Sequence, residues 1–130
     1  MDLSNLTLPV YVYGSREDHI VPINAAYAST QVLPGKKRFV MGASGHIAGV
    51  INPPAKGKRS HWIRADGKLP ATLDQWLEGA TEHPGSWWTD WSGWLKGHAG
   101  KQIAAPKGYG KGARFKAIEP APGRYVKEKA

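Results

Sequence analysis

Two short apolar runs separated by a segment of helical periodicity constrain this chain more than any other feature. Residues 10–13 and 39–41 are aromatic or aliphatic, and each run is followed by a glycine, which is typical of strands buried on both faces. Pro22 opens the intervening segment and Pro34-Gly35 closes it. Within it, side chains of one helical face recur every three or four positions: Ile23, Ala26, Tyr27, Thr30 and Leu33. The sequence therefore predicts a strand, a helix and a second strand joined by a right-handed parallel crossover.

An acid and an imidazole follow the two predicted strands. Asp18 lies in the loop after the first strand, and His46 lies 28 positions further on, in the loop after the second. Because parallel strands end at the same edge of a sheet, where catalytic groups collect, we expect both side chains on one rim. A carboxylate that accepts a hydrogen bond from an imidazole fixes its tautomer and stabilises its cation. Spacing alone leaves a second interpretation open, in which each side chain only bonds nearby backbone.

Four blocks of the chain carry a specific resemblance. They are GSREDHIVP at 14–22, GASGHIAGVINPP at 42–54, GATEHPGSWW at 79–88 and AIEPAPGRYV at 117–126. In this order they resemble the carboxyl-terminal part of class I poly(3-hydroxyalkanoate) synthases. The resemblance implies the last parallel strands and helices of an α/β-hydrolase fold, in an acyltransferase that polymerises (R)-3-hydroxyacyl-coenzyme A into polyester and releases coenzyme A. It also implies that Asp18 is the catalytic acid and His46 the catalytic histidine.

A nucleophile for this acid and histidine is missing from the sequence. In α/β-hydrolases the nucleophile precedes the acid and the histidine, so it would lie upstream of Met1. The resemblance implies a cysteine nucleophile, and the chain contains no cysteine. Ser44 matches a serine elbow weakly, because His46 stands where the motif has its last glycine, and Ser15 is no better placed. We therefore expect a fragment that is inactive alone and whose partners include the missing upstream part of the synthase.

The rest of the chain predicts an edge strand, two helices and a tail. Residues 61–63 are a candidate short edge strand. One predicted helix carries Leu73, Trp76 and Leu77 on a single face. The other, a closing helix packed on the sheet, carries a stripe of Trp87, Trp91, Trp94 and His98. Residues 1–100 are expected to form the end of the catalytic domain, and residues 101–130 an extended basic tail rich in glycine and proline.

The positive charge is concentrated in that tail. The chain has a formal net charge of +8, and residues 101–130 carry eight Lys or Arg against two Glu. An alternative function is therefore a non-catalytic binding module whose tail contacts a polyester granule, a protein or a nucleic acid, with tail aromatics stacking on bases. Nucleic acid is the least favoured of these partners, because such charge runs more often form a solvated face. A homodimer and granule-associated proteins are further expected partners.

Other chemistry receives little support from the sequence. His61, His83 and His98 lack metal-ligand spacing, so we predict no metal. No separate cofactor is expected either, since coenzyme A is part of the substrate, and the residues that bind it are unassigned. His19 follows the acid directly and has either a site-lining or a purely structural role. Without a signal segment or an apolar run of about 18 residues, the expected location is cytoplasmic, with association to polyester granules.

Overall fold

A computed structural model describes residues 2–129 of the chain. The chain divides into two compact units, Met1–Ala99 and Gly100–Ala130. The first unit contains β1 (Val10–Ser15), α1 (Ile23–Val32), β2 (Lys37–Gly42), a 3-10 turn (Pro54–Lys56), β3 (Ser60–Ile63), α2 (Leu73–Glu78), β4 (Thr81–Pro84) and α3 (Trp88–Lys96). The described residues include no helix long and apolar enough to cross a membrane.

The strands form one sheet in the order β1-β2-β3-β4. β1 and β2 are parallel, with Val10 opposite Lys37 and Ser15 opposite Gly42, so the predicted strand, helix and strand unit is confirmed. The prediction of parallel strands holds only for this pair, because β3 and β4 are antiparallel to their neighbours. A parallel neighbour needs a crossover that returns the chain to the opposite edge. Residues 43–59 make no such crossover and enter β3 from the edge where β2 ends.

Two predictions about the strands were wrong, one on the position of β3 and one on the burial of β1. β3 lies between β2 and β4, so it is an interior strand, and β4 is the edge strand instead. β4 was not predicted, because its four residues are all exposed and show no apolar alternation. Its last residue, Pro84, is tolerated because an edge strand has unpaired backbone on one side. β1 was expected to be buried on both faces, but from Val10 to Tyr13 its side chains are only partly buried, since β1 forms the other edge.

The core fills one face of the sheet under α1 and α2. Its buried members are Tyr27, Phe39, Met41, Leu73 and Trp76. The rings meet edge to face, with centroids 5.0 Å apart for Tyr27 and Phe39 and 4.9 Å apart for Phe39 and Trp76. α2 begins after Thr72, whose hydroxyl accepts a hydrogen bond from the Gln75 backbone N–H. Because Leu73 and Trp76 of α2 are buried in this core and Leu77 packs against it, the predicted inward face of α2 is confirmed.

α3 covers the opposite face, above the tyrosines of β1. Side chains alternate along a strand, so Tyr11 and Tyr13 point away from the core that Val12 joins. Trp87, just before α3, is stacked on Tyr13 with ring centroids 4.2 Å apart, and Trp94 lies edge-on to Tyr11 at 5.5 Å. A helix packed on the sheet is confirmed at this position, but its tryptophan stripe is only partly buried, because Trp91 is 38% exposed.

The second unit has little regular structure. Two-residue strands, β5 (Gly110–Lys111) and β6 (Phe115–Lys116), pair as an antiparallel hairpin, and Tyr125–Lys127 form a 3-10 turn. The hairpin was not predicted from the glycine-rich sequence. Gly110 and Gly112 both have positive φ, a conformation that glycine adopts without a Cβ clash, and this is what lets the chain reverse there.

Candidate active site at the ends of β1 and β2

The loops after β1 and β2 lie side by side and are joined by backbone hydrogen bonds. The Arg16 N–H donates to the Gly42 carbonyl at 2.8 Å, and the Glu17 N–H donates to the Ser44 carbonyl at 3.0 Å. These bonds continue the parallel pairing beyond the last residues of the strands. Ser44 adopts φ 74°, a left-handed conformation that is uncommon outside glycine. The residues that follow in each loop are thereby brought to the same point of the sheet edge.

Asp18 is held by three hydrogen bonds. Its Oδ1 accepts from the backbone N–H groups of Ile20 at 2.8 Å and Val21 at 2.9 Å, closing a local turn. Its Oδ2 lies 2.8 Å from the Nδ1 atom of His46. The Val21 N–H, with help from His46 and Ile20 and against the effect of desolvation, lowers the pKa of Asp18 to about 2. The carboxylate is therefore ionised and fixed in direction.

His46 is oriented by that carboxylate. An ionised carboxylate can only accept, so Nδ1 carries the proton and Nε2 is left as the basic nitrogen of the neutral ring. The His46 side chain is 40% exposed, whereas that of Asp18 is 8% exposed. Both border a cavity of about 160 Å³ whose walls also include Tyr13, Ser15 and Val50. The arrangement can take a proton from a group placed at Nε2 and return it later.

Comparison with known proteins finds homologues that match the whole length of this chain. The chain is 65% identical, over all 130 residues, to the poly(3-hydroxyalkanoate) polymerase subunit PhaC of Cupriavidus necator, and covers 22% of that protein. It is homologous to a fragment of a poly(3-hydroxyalkanoate) polymerase. The corresponding subunit of Rhizobium etli is 42% identical over 129 residues and is covered to 20%. The polymerase of Methylorubrum extorquens is 39% identical over 130 residues and is covered to 21%.

The predicted resemblance to these polymerases is thus confirmed over the whole chain. The chain spans about a fifth of the length of the curated relatives it matches. No protein-family profile matches it.

The structure places the other candidate residues of this polymerase homologue outside the Asp18–His46 pair. His19 is exposed and is not among the residues that line the cavity. Ser15 is 2% exposed, and its hydroxyl lies 2.9 Å from the Tyr13 hydroxyl. This buried hydrogen bond gives Ser15 a structural role. Among residues 2–129, no three His, Asp or Glu side chains are grouped so that they could hold a metal ion.

Sequence reasoning missed two contributors to the site in this homologue. The Trp87 indole N–H donates to the carbonyls of Gly49 at 3.2 Å and Val50 at 3.3 Å. The Trp88 indole N–H donates to the same Val50 carbonyl at 2.9 Å. The sequence pattern predicts only a packing role for Trp87, as part of the tryptophan stripe, and predicts no role for Trp88. Spacing along the chain carries no signal for these bonds, because each joins residues 37 or 38 positions apart.

Proposed function

We propose that this chain supplies the acid and the histidine of a Cys-His-Asp triad in a polyester polymerase. The substrate class is (R)-3-hydroxyacyl-coenzyme A, and the products are polyester and coenzyme A. The nucleophilic cysteine comes from the four-fifths of the polymerase that this chain does not represent. The observation that carries the proposal is the 2.8 Å contact between His46 Nδ1 and Asp18 Oδ2, made by residues from the ends of two parallel strands.

The local architecture supports assignment to the end of an α/β-hydrolase fold. Such enzymes carry the acid and then the histidine on loops that follow late strands of a parallel sheet. Here β1, α1 and β2 form one parallel unit, and the loops that follow the two strands carry Asp18 and then His46. The antiparallel β3 and β4 are an addition beyond this unit.

The proposed reaction uses the imidazole twice in each acyl transfer. His46 Nε2 takes the thiol proton as the sulfur attacks the thioester carbon, and the imidazolium then protonates the departing coenzyme A thiolate. His46 next takes the 3-hydroxyl proton of an acyl acceptor, and that oxygen attacks the acyl carbon of the acyl-cysteine. The carbon–sulfur bond breaks, and the imidazolium returns its proton to the departing cysteine thiolate. A carboxylate with a pKa of about 2 is a poor proton acceptor. We therefore assign Asp18 to orienting and stabilising the imidazolium rather than to activating the hydroxyl.

The test is a chimera of the Cupriavidus necator polymerase subunit in which this chain replaces the matching region. Coenzyme A release from 3-hydroxybutyryl-coenzyme A is measured for the parent chimera and for its His46→Gln variant. We expect His46→Gln to lower the rate at least about a hundredfold, the usual range for loss of a general acid and base. His83→Gln, which changes an exposed histidine on β4, is the matched control and should retain activity. Near-normal release by His46→Gln would overturn the proposal.

A second experiment separates the chain from the whole enzyme. The chain alone is expected to release no coenzyme A, because it contains no cysteine. Mixing it with the complementary part of the polymerase, which carries the nucleophile, is expected to restore release. Release by the chain alone would contradict the assignment of the nucleophile.

A further inference from the structure

The turn that begins at His46 is short and is held from one side by tryptophans. Within the turn, the Gly49 N–H donates to the Gly45 carbonyl at 2.8 Å and the Ile51 N–H donates to the Ile47 carbonyl at 2.9 Å. The carbonyls of Gly49 and Val50 accept the indole N–H groups of Trp87 and Trp88. The backbone that carries the imidazole is thus tied to the start of α3.

The two donors are themselves fixed in place. Trp87 is 9% exposed and stacked on Tyr13. The Ser86 hydroxyl accepts a hydrogen bond from the Trp88 backbone N–H at 3.0 Å and so orients the first residue of α3. Further along α3, Asp90 accepts a hydrogen bond from the Tyr11 hydroxyl at 2.9 Å, which ties the helix to β1. The indoles therefore present their N–H groups from a rigid support.

The side of the turn that faces β1 is also tightly packed, at Gly49. A Cβ placed on Gly49 would clash with Ser15 Oγ and would lie 2.8 Å from the Ala43 carbonyl oxygen. The turn consequently rests on the end of β1 below and is held by the indoles from α3. The His46 ring, in contrast, is 40% exposed and is held through its side chain by Asp18.

We propose that Trp87 and Trp88 are positioning residues for the His46 imidazole. Asp18 sets the rotation of the ring, and the two indole N–H groups set where the backbone presents it. This inference rests on the proposed role of His46 as the general base. A misplacement of about 1 Å at a reacting group lowers rates about a hundredfold, so loss of both donors should affect turnover more than substrate binding.

The test compares two variants of Trp88, one that keeps an aromatic ring and one that keeps an N–H donor. Trp88→Phe keeps an aromatic ring without an N–H, and Trp88→Gln keeps an N–H donor at a similar distance from the backbone without the ring. In the chimeric polymerase, we expect Trp88→Phe to lower kcat about tenfold with KM changed less than twofold, and Trp88→Gln to restore most of that loss. The Trp87→Phe/Trp88→Phe double variant should lower kcat about a hundredfold. Trp91→Phe, a 38% exposed tryptophan of the same helix, is the matched control.

A second readout needs no catalysis. In the folded chain, the proton that His46 Nδ1 shares with Asp18 should give a downfield resonance in the proton NMR spectrum. We expect Trp88→Phe to broaden or shift this resonance, and Trp91→Phe to leave it unchanged. An unchanged resonance and an unchanged kcat in a folded double variant would overturn the positioning role.

The two readouts distinguish this inference from the proposed function. If His46→Gln is active while the resonance responds to Trp88→Phe, the polymerase role of His46 fails and the positioning of its ring stands. If His46→Gln is inactive while Trp88→Phe and the double variant behave as the parent, the positioning role alone fails. Should the double variant not fold, the comparison of Trp88→Phe with Trp88→Gln, at a partly exposed position, decides the matter.

Discussion

Arg38 of β2 and Asp90 of α3 form a two-point ion pair over the face of the sheet that the core does not use. Arg38 Nε donates to Asp90 Oδ2 at 2.8 Å, and its terminal nitrogen donates to Asp90 Oδ1. The side chains are 33% and 14% exposed. Burial acts to raise the pKa of Asp90, but the hydrogen bonds from Arg38 and Tyr11 hold it below its ordinary value. This pair fastens α3, and with it the two indole donors, to the strands that carry the site.

Asp90→Asn should destabilise the first unit. The variant leaves a partly buried guanidinium without its counter-charge, and hydrogen bonds to charged groups contribute about 1.5–3 kcal/mol. We expect the free energy of unfolding, measured with urea, to fall by about that amount. Asp66→Asn is the control, because Asp66 pairs with Arg64 at the surface and such pairs contribute about 0–1 kcal/mol. Equal effects of the two substitutions would contradict the anchoring role of Asp90.

Asp18 should make the chain more stable as the pH rises from about 2 to 4. Its pKa is about 2 in the folded chain, against an ordinary value of 3.8, so between these values the unfolded chain binds more protons than the folded one. The contribution of Asp18 is fully present above about pH 4 and is lost as the pH falls through 2. We expect Asp18→Asn to weaken this rise. Urea unfolding at several pH values measures the slopes.

The same carboxyl group can be observed directly. A ¹³C NMR titration of the Asp18 carboxyl carbon should give a midpoint near 2 in the parent chain. His46→Asn removes one of the interactions that lower this pKa, so the midpoint should rise. It should stay below 3.8, because the N–H groups of Ile20 and Val21 still donate to Oδ1. A midpoint that does not respond to His46→Asn would argue against a contact between the two side chains in solution.

Gly49→Ala should damage both stability and turnover. The added Cβ would lie 2.8 Å from the carbonyl oxygens of Ala43 and Gly45, and backbone atoms cannot move aside as a flexible side chain can. We expect a loss of about 1–3 kcal/mol in the free energy of unfolding and a lower rate of coenzyme A release in the chimera. Gly93→Ala, in α3, meets open space and should stabilise the helix by up to about 1 kcal/mol.

Ser44→Gly should stabilise the chain, which is unusual for a substitution to glycine. Ser44 has φ 74°, and a left-handed conformation costs a non-glycine residue about 1–2 kcal/mol. Part of this gain is offset by the greater freedom of glycine in the unfolded chain, so we expect a net gain of about 0.5–1 kcal/mol. Ser92→Gly in α3 should have the opposite sign, because glycine is a poor helix former. Thermal or urea unfolding of the two variants checks both signs.

Local periodicity and order along the chain were enough to predict one part of this protein. The apolar runs, with the helical spacing of Ile23, Ala26 and Tyr27 between them, specified the parallel β1, α1 and β2 unit. Because parallel strands end at one edge, the order of the strands also predicted that Asp18 and His46 lie together. The family resemblance, carried by short motifs, was likewise available from the sequence.

Features that depend on contacts between residues far apart in the chain became visible only in the folded structure. β4 has no apolar alternation, so its pairing with β3, and the antiparallel direction of both, follow from the path of the connecting loops. The pairing of Arg38 with Asp90 joins residues 52 positions apart, and the bond from Trp88 to the Val50 carbonyl spans 38. Local propensity and spacing carry no information about such partners. They are selected when α3 packs on the sheet and a buried donor or charge must find a group that satisfies it.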